Sequence, residues 1–387
     1  MFDFDKVYDR RSTSTFKWDA LPDLFQTPTD ANVIPMWVAD MDFAVAPVIE
    51  EAWQTRMQHP IYGYTKAPDS LYTAIIDWQA RYGWTIHKED MLFYSGVVPA
   101  LAAIIRECTP ADATIVISTP AYYPFKDVPE RLGRTVVECP LTIGNERFEY
   151  DFAALEDLLK TSDAYILCNP HNPGGTVWSQ ETLTRIVTLC RQYDVLLISD
   201  EIHADLVFAP YTHVPAMPLT TKEDRFISLI APTKTFNLAG IQFAAAVTAN
   251  KDMYTALQTA ATKAAQSGPH IFAIAATEAA YTKGQPWLDE LMNYLAETIH
   301  YVKAELEQID GIRVWAPEAS YLMWMDVRGV DIAEKELMQR FKDQGVIIYP
   351  GSKFGVTGEG FFRINIASPR SVVEEAVVRM KRALQQS

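Results

Sequence analysis

Val195-Leu196-Leu197-Ile198-Ser199-Asp200-Glu201-Ile202-His203 passes from an unbroken apolar run to two acids and an imidazole within nine residues. A short apolar run that ends so abruptly reads as a strand buried on both faces, delivering polar groups at its carboxyl end. Just upstream, Gln180–Tyr193 carries Leu183, Ile186, Val187 and Cys190 at helical spacing, so a helix feeds this strand. The pattern repeats outward in Thr114–Ser118 (TIVIS), Ala164–Cys168 (AYILC), Phe226–Ile230 (FISLI) and Phe243–Thr248 (FAAAVT). Apolar strands alternating with helices from about Leu92 to Thr248 predict an α/β fold, with a mostly parallel sheet between helical layers.

In open α/β sheets, ligands bind beyond the carboxyl ends of the strands. TIVIS runs into Thr119-Pro120-Ala121-Tyr122-Tyr123, and AYILC into Asn169-Pro170-His171-Asn172-Pro173-Gly174-Gly175. FISLI runs into Ala231-Pro232-Thr233-Lys234-Thr235-Phe236-Asn237. Asn172 and Asp200 are 28 positions apart, and Asp200 and Lys234 are 34 apart. Each interval holds about one helix and one strand, which brings all three residues to one rim. Taken singly, each has an ordinary role: a solvated Lys, an Asp capping a helix, an Asn in turn chemistry, two adjacent core tyrosines.

Beyond Pro286 the character changes. A long helix over Trp287–Gln308 leads to a strand at Tyr321–Val327, a helix near Ile332–Gln344, a strand at Phe361–Ile366 and a terminal helix from Ser371. This predicts a large domain over 46–285 and a smaller α+β domain built from 1–45 and 286–387. At 387 residues, two domains are the expected organisation. The formal net charge of −15 disfavours nucleic acid and anionic membrane as partners. No apolar run approaches the ~18 residues of a membrane span. Four scattered cysteines, Cys108, Cys139, Cys168 and Cys190, show no metal-binding or disulfide spacing and suit a cytoplasmic chain. No GxGxxG follows an early strand, which disfavours a nicotinamide-dependent oxidoreductase.

The motifs SDEIHADLVF, NPHNPGG, APTKTFNLAG and RINIASPR, with MWVADMDF and HPIYGYT nearer the start, span Met36 to Arg370. Together they resemble fold-type I pyridoxal-phosphate enzymes of the class I/II aminotransferase superfamily, and most closely the MalY/PatB-type cystathionine β-lyases. The resemblance implies a large domain with a sheet between helices plus a smaller α+β domain, and pyridoxal 5'-phosphate as cofactor. By the same resemblance Lys234 carries the cofactor as a Schiff base and moves the substrate Cα proton. Asp200 pairs with the ring nitrogen and Asn172 with the phenolic oxygen. His203 orients Asp200 or that oxygen. Tyr122 stacks on the ring, with Tyr123 beside it as the competitor for that place and as a substrate contact. Gly96, Val97 and Val98, ahead of a helix beginning near Ala100, together with Thr233, receive the phosphate. Tyr64, with Tyr62 as its competitor, reaches the phosphate of a second subunit, which implies a homodimer with shared sites. Arg363 grips the substrate α-carboxylate with its planar fork, Arg370 is structural, and Ala39 offers a backbone amide nearby.

One position departs from many aminotransferases. Gln242 stands eight residues after Lys234, where an arginine often clamps the phosphate, and no Arg follows before Lys263. The implied activity is β-elimination from L-cystathionine or another cysteine S-conjugate, giving a thiol, pyruvate and ammonia. The same residues also serve an aminotransferase, and a regulatory protein on this fold is the reading from another class.

Overall fold

The computed structural model describes residues 2–28, 32–265 and 268–385. Seven strands form the large sheet: β1 (Met91–Tyr94), β2 (Thr114–Thr119), β3 (Thr135–Pro140), β4 (Ala164–Cys168), β5 (Leu196–Asp200), β6 (Phe226–Ile230) and β7 (Ala244–Val247). Their spatial order is β1-β7-β6-β5-β4-β2-β3, with β2 to β6 parallel and β7 antiparallel to both neighbours. The strands are buried on both faces because their sequences offer no polar face: every residue of β5, β6 and β7 is buried. The apolar runs of β4 and β6 keep the limits that periodicity predicts, while β5 starts one residue later and takes in Asp200.

This register determines where chemistry can occur. Cys168 pairs with Asp200, and Asp200 with Leu229, so the carboxyl ends of β4, β5 and β6 finish level. Antiparallel β7 brings Ala244 to the same rim, and its partner there is Tyr94 at the end of β1. The chain leaving β1 therefore turns at Gly96 into helix α1 (Val97–Cys108) on that rim. The sequence places this start near Ala100, three residues too late. Pro99 falls inside the first turn, where a proline needs no partner for its missing N–H and is tolerated.

Helix α2 (Gln180–Gln192) buries Leu183, Ile186, Val187 and Cys190 as its spacing predicts, and Ser179 Oγ caps it by accepting from the Thr182 amide at 3.1 Å. Past the large sheet, α3 (Gln285–Leu306) leads to a four-stranded antiparallel sheet. Its strands β8 (Arg313–Trp315), β9 (Leu322–Asp326), β10 (Tyr349–Pro350) and β11 (Phe361–Asn365) lie in the order β8-β9-β11-β10. Helix α4 (Arg370–Gln385) packs on α3. From the N-terminal segment, Ile34–Pro35 pairs in parallel with Val346–Ile347, and the Phe2 amide donates to Glu290 on α3 at 2.9 Å.

The loop after β4 is sewn to the chain ahead of β9. The Ala319 amide donates to the Gly175 carbonyl at 2.9 Å, and the Val177 amide to a Glu318 carboxylate oxygen at 2.7 Å. The Phe208 amide donates to the Glu318 carbonyl at 2.9 Å, and the Ser320 amide to that of Leu206 at 2.7 Å. Gly175 has φ +69°, and a Cβ there would lie 2.4 Å from Pro317 Cβ. Both the backbone conformation and the close approach require glycine. Gly175→Ala should therefore lower stability by roughly 2 kcal/mol or more, read as a reduced denaturant midpoint at unchanged slope.

Candidate functional site

The site is built from charges that the rim holds but does not pair. Asp200, at the end of β5, is buried; its Oδ1 accepts from the Ile202 amide at 3.2 Å, and among the described residues no cation lies in salt-bridge contact with it. Burial raises this carboxyl to about pKa 7, against the amide bond and the charge of Lys234, which favour ionisation. The amide bond closes a turn, not the helix cap that Ser-Asp after a strand could also signal. Glu201, next in sequence and also buried, faces elsewhere: it accepts from Ser199 Oγ at 2.8 Å and the Ala216 amide at 3.2 Å, and its other oxygen meets His213 Nε2 at 2.9 Å.

Lys234 is half-buried in the turn after β6, and its Nζ donates to the Ala39 carbonyl at 2.6 Å. Burial lowers the amine to about pKa 8; Asp40 and Asp200 oppose the shift, and Arg363 adds to it. At that value about a tenth of the amine is neutral at pH 7, far more than for an exposed lysine. Two contacts fix the turn. Thr235 Oγ1 donates to Asp205 Oδ2 at 2.7 Å, and Asp205 Oδ1 accepts from Trp78 Nε1 at 2.9 Å and the Tyr82 hydroxyl at 2.6 Å. Asn237, at φ +56°, accepts from the Met41 amide and donates to the carbonyls of Met41 and Phe43, each at 3.0 Å.

Arg363, on β11, is buried, and among the described residues no carboxylate lies in salt-bridge contact with it. Its Nη1 donates to Asn172 Oδ1 at 3.1 Å and its Nη2 to the Trp37 carbonyl at 2.9 Å, while among the described residues its buried Nε has no partner. Burial pulls the guanidinium down to about pKa 10, opposed by nearby tyrosines, Tyr122 first among them. A desolvated guanidinium left without a counter-ion suits an anionic ligand. The Asn172–Arg363 bond brings together the two ends of the predicted set, 191 residues apart in sequence.

Tyr122 feels the charges of both Arg363 and Asp200, with its ring 5.2 Å from that of Tyr123 and 5.7 Å from Phe125. His203 is buried with Nδ1 unpartnered; burial, then the charges of Lys234 and Arg363, lower it to about pKa 3, so its imidazole is neutral. Gly96, Val97 and Val98 stand half-buried at the start of α1, where no side chain caps the free amides. Thr233 is half-buried beside Lys234. Ala39 presents its carbonyl to the site, where it also accepts from the Tyr321 hydroxyl at 3.0 Å. Tyr64 is 108% exposed and takes no part in this cluster within one chain, while Tyr62 packs on Phe272 at 5.9 Å. Gln242 sits at φ +57° in the turn ahead of β7. Arg370 pairs with Glu374 on the outside of α4.

These residues fit pyridoxal 5'-phosphate. A buried, unpaired Asp200 suits a protonated ring nitrogen, Asn172 and His203 offer polar atoms beside it, Tyr122 offers a ring face, and the open amides of α1 suit the phosphate.

The chain matches the family model for aminotransferase class I and II over residues 31–380. It is 37% identical to cystathionine beta-lyase PatB of Bacillus subtilis, over 98% of this chain and 99% of the relative. It is 33% identical to protein MalY of Escherichia coli, over 99% of each. The solved PLP-bound C-S lyase from Staphylococcus hominis superposes with a TM-score of 0.91 at 32% identity, covering 100% of this chain and 99% of that one.

The Asp200 carboxyl yields a pH-dependent prediction. Its folded pKa is raised, so the stability it contributes is present below its unfolded value near 3.8 and lost as pH rises toward about 7. In the chain stripped of cofactor, Asp200→Asn should melt above the wild type by a margin that widens from pH 5 to pH 7 and then levels. The same variant should retain cofactor poorly, as read by the absorbance carried through gel filtration.

Proposed function

The chain belongs to the aminotransferase class I and II family, and within it we propose a pyridoxal-phosphate-dependent carbon–sulfur β-lyase that acts on L-cystathionine or a related cysteine S-conjugate. Its products are a thiol, pyruvate and ammonia. The observation that carries this reading is the placement of Lys234, Asp200, Asn172 and Arg363 around one buried rim, on a chain that matches cystathionine beta-lyase PatB from end to end.

When bound, pyridoxal phosphate supplies a reactive aldehyde carbon and a ring that accepts the electron pair left at Cα. Lys234 would hold that carbon through its Nζ and would move the proton at the substrate Cα. The lowered basicity of Nζ serves both tasks. Asp200 keeps the ring nitrogen protonated, and Arg363 binds both oxygens of the substrate α-carboxylate. Asn172, tied to Arg363, would bond the phenolic oxygen of the ring. Tyr122 would cover one ring face, Tyr123 would line the substrate side, and His203 would orient Asp200 or the phenolic oxygen. The amides of Gly96, Val97 and Val98, with the Thr233 hydroxyl, receive the phosphate in the absence of an arginine at position 242. Elimination of the β-thiol with uptake of one water would account for the thiol, pyruvate and ammonia as products.

We further propose that residues 46–285 form the cofactor-holding domain and 1–45 with 286–387 the smaller one, and that the enzyme is a cytoplasmic homodimer. Free thiols at all four cysteines suit the cytoplasm. Among the described residues no helix is long and apolar enough to cross a membrane. Exposed Met57, Ile61, Tyr62 and Tyr64 cluster along one short stretch, as expected of a surface that a second copy covers.

Purified protein should release pyruvate and free thiol from L-cystathionine in catalytic amounts without any added 2-oxo acid. Lys234→Ala should abolish both the turnover and the bound chromophore. Strict dependence on a 2-oxo acid would replace the lyase by a transaminase. Mixing Lys234→Ala with Tyr64→Ala chains, each inactive alone, should restore about a quarter of wild-type activity, because random pairing regenerates one intact site in each hybrid dimer.

A further inference from the structure

The segment Trp37–Phe43 bonds to both cations of the rim. Its Ala39 carbonyl receives Lys234, its Trp37 carbonyl receives Arg363, and Asn237 binds it at Met41 and Phe43. Asn365, on β11 with Arg363, donates to its Val38 and Asp40 carbonyls. Behind it lie four charges. Arg10 Nη2 meets Asp40 Oδ2 at 2.7 Å, and its Nη1 meets Asp42 Oδ1 at 2.6 Å and the Met41 carbonyl at 3.1 Å. Lys17 Nζ meets Asp42 Oδ2 at 2.7 Å and Asp40 Oδ1 at 3.6 Å. Ser368 Oγ donates to Asp42 Oδ2 at 2.6 Å.

Lys17 is 0% exposed, on a helix of only four residues, Phe16–Asp19. Burying an ammonium in an ion cluster is a poor way to gain stability, because the desolvation cost offsets most of the attraction. The quartet does achieve neutrality: two cations balance two carboxylates. Asp40 is its member that acts on Lys234. The other charged groups facing Lys234 are Asp200 from β5 and Arg363 from β11, and neutral His203 and Tyr321 complete its surroundings.

We propose that Arg10 and Lys17 are positioning residues that hold and neutralise Asp40 beneath the Ala39 carbonyl, and thereby set how readily Lys234 gives up its proton. Neither cation touches the amine. Each acts through Asp40, whose charge favours the ammonium. Losing a cation leaves the carboxylate less compensated, and losing Asp40 leaves a cation in excess, so the two changes push the lysine in opposite directions. The importance of that basicity for catalysis rests on the reading of Lys234 given above.

The test follows the amine itself. Full-length protein stripped of cofactor is treated across a pH range with an amine-acylating reagent, and labelling of Lys234 is measured by peptide mass spectrometry. Arg10→Gln should move the labelling midpoint upward by roughly half a unit to one unit, and Asp40→Asn should move it downward by a similar amount. Arg10→Lys should return it toward the wild-type value. Simple loosening of the fold would expose Lys234 and move both midpoints the same way. Opposed shifts support the proposal; any other pattern, including two unmoved midpoints, overturns it. Turnover plays no part in this measurement, so opposed shifts in a chain with no lyase activity would refute the function and leave this inference standing.

Discussion

A buried carboxylate, a half-buried amine and a buried guanidinium gather at one end of the large sheet, and none of them closes a salt bridge with another. Asp200, Lys234 and Arg363 take their internal partners from an amide, two carbonyls and the Asn172 side chain. Unpaired charge in a low-dielectric interior is costly, and the surroundings keep it in place through the level ends of β4, β5 and β6 and the braced turn at Thr235 and Asn237. The site is thus preorganised for a ligand carrying its own charges: an anionic carboxylate, a cationic ring nitrogen and an electrophilic carbon.

Neutral partners matter as much as charged ones. Had a carboxylate met Arg363, any anionic ligand would have to displace it. The Trp37 carbonyl and the Asn172 amide oxygen orient the guanidinium without competing for its charge. Likewise the Ala39 carbonyl gives the free amine a resting place without the strong preference for the ammonium that a direct carboxylate contact would impose. Asp40 exerts that preference from one residue away, with two cations at its back.

Much of this was legible in the sequence because it depends on local pattern. Apolar runs of five or so residues locate β2, β4, β5 and β6 to within a residue, and the polar residues that end them follow directly. The motif resemblance then attaches chemistry to Lys234, Asp200, Asn172 and Arg363. The bracing escaped. Arg10 and Lys17 reach Asp40 and Asp42 across 23 to 32 positions from a segment without helical or strand periodicity, so nothing local marks them as buried. Asp205 sits inside SDEIHADLVF, where the motif itself was a signal, but its partners Trp78, Tyr82 and Thr235 come from distant segments. Helix α1 starts at Val97, ahead of the expected Ala100, because Pro99 falls in the first turn, where a proline is tolerated. Tyr64 illustrates the opposite limit: its motif is plain, yet within one chain it meets only solvent.

The seam at Gly175 and Glu318 gives the molecule a mechanical property. The loop carrying Asn172 hangs from the large sheet and is stitched to the strand system that carries Arg363, and those two side chains bond to each other across the join. The two side chains therefore cannot drift apart without straining that ligature. A displacement of one strand system reaches the other through these few hydrogen bonds.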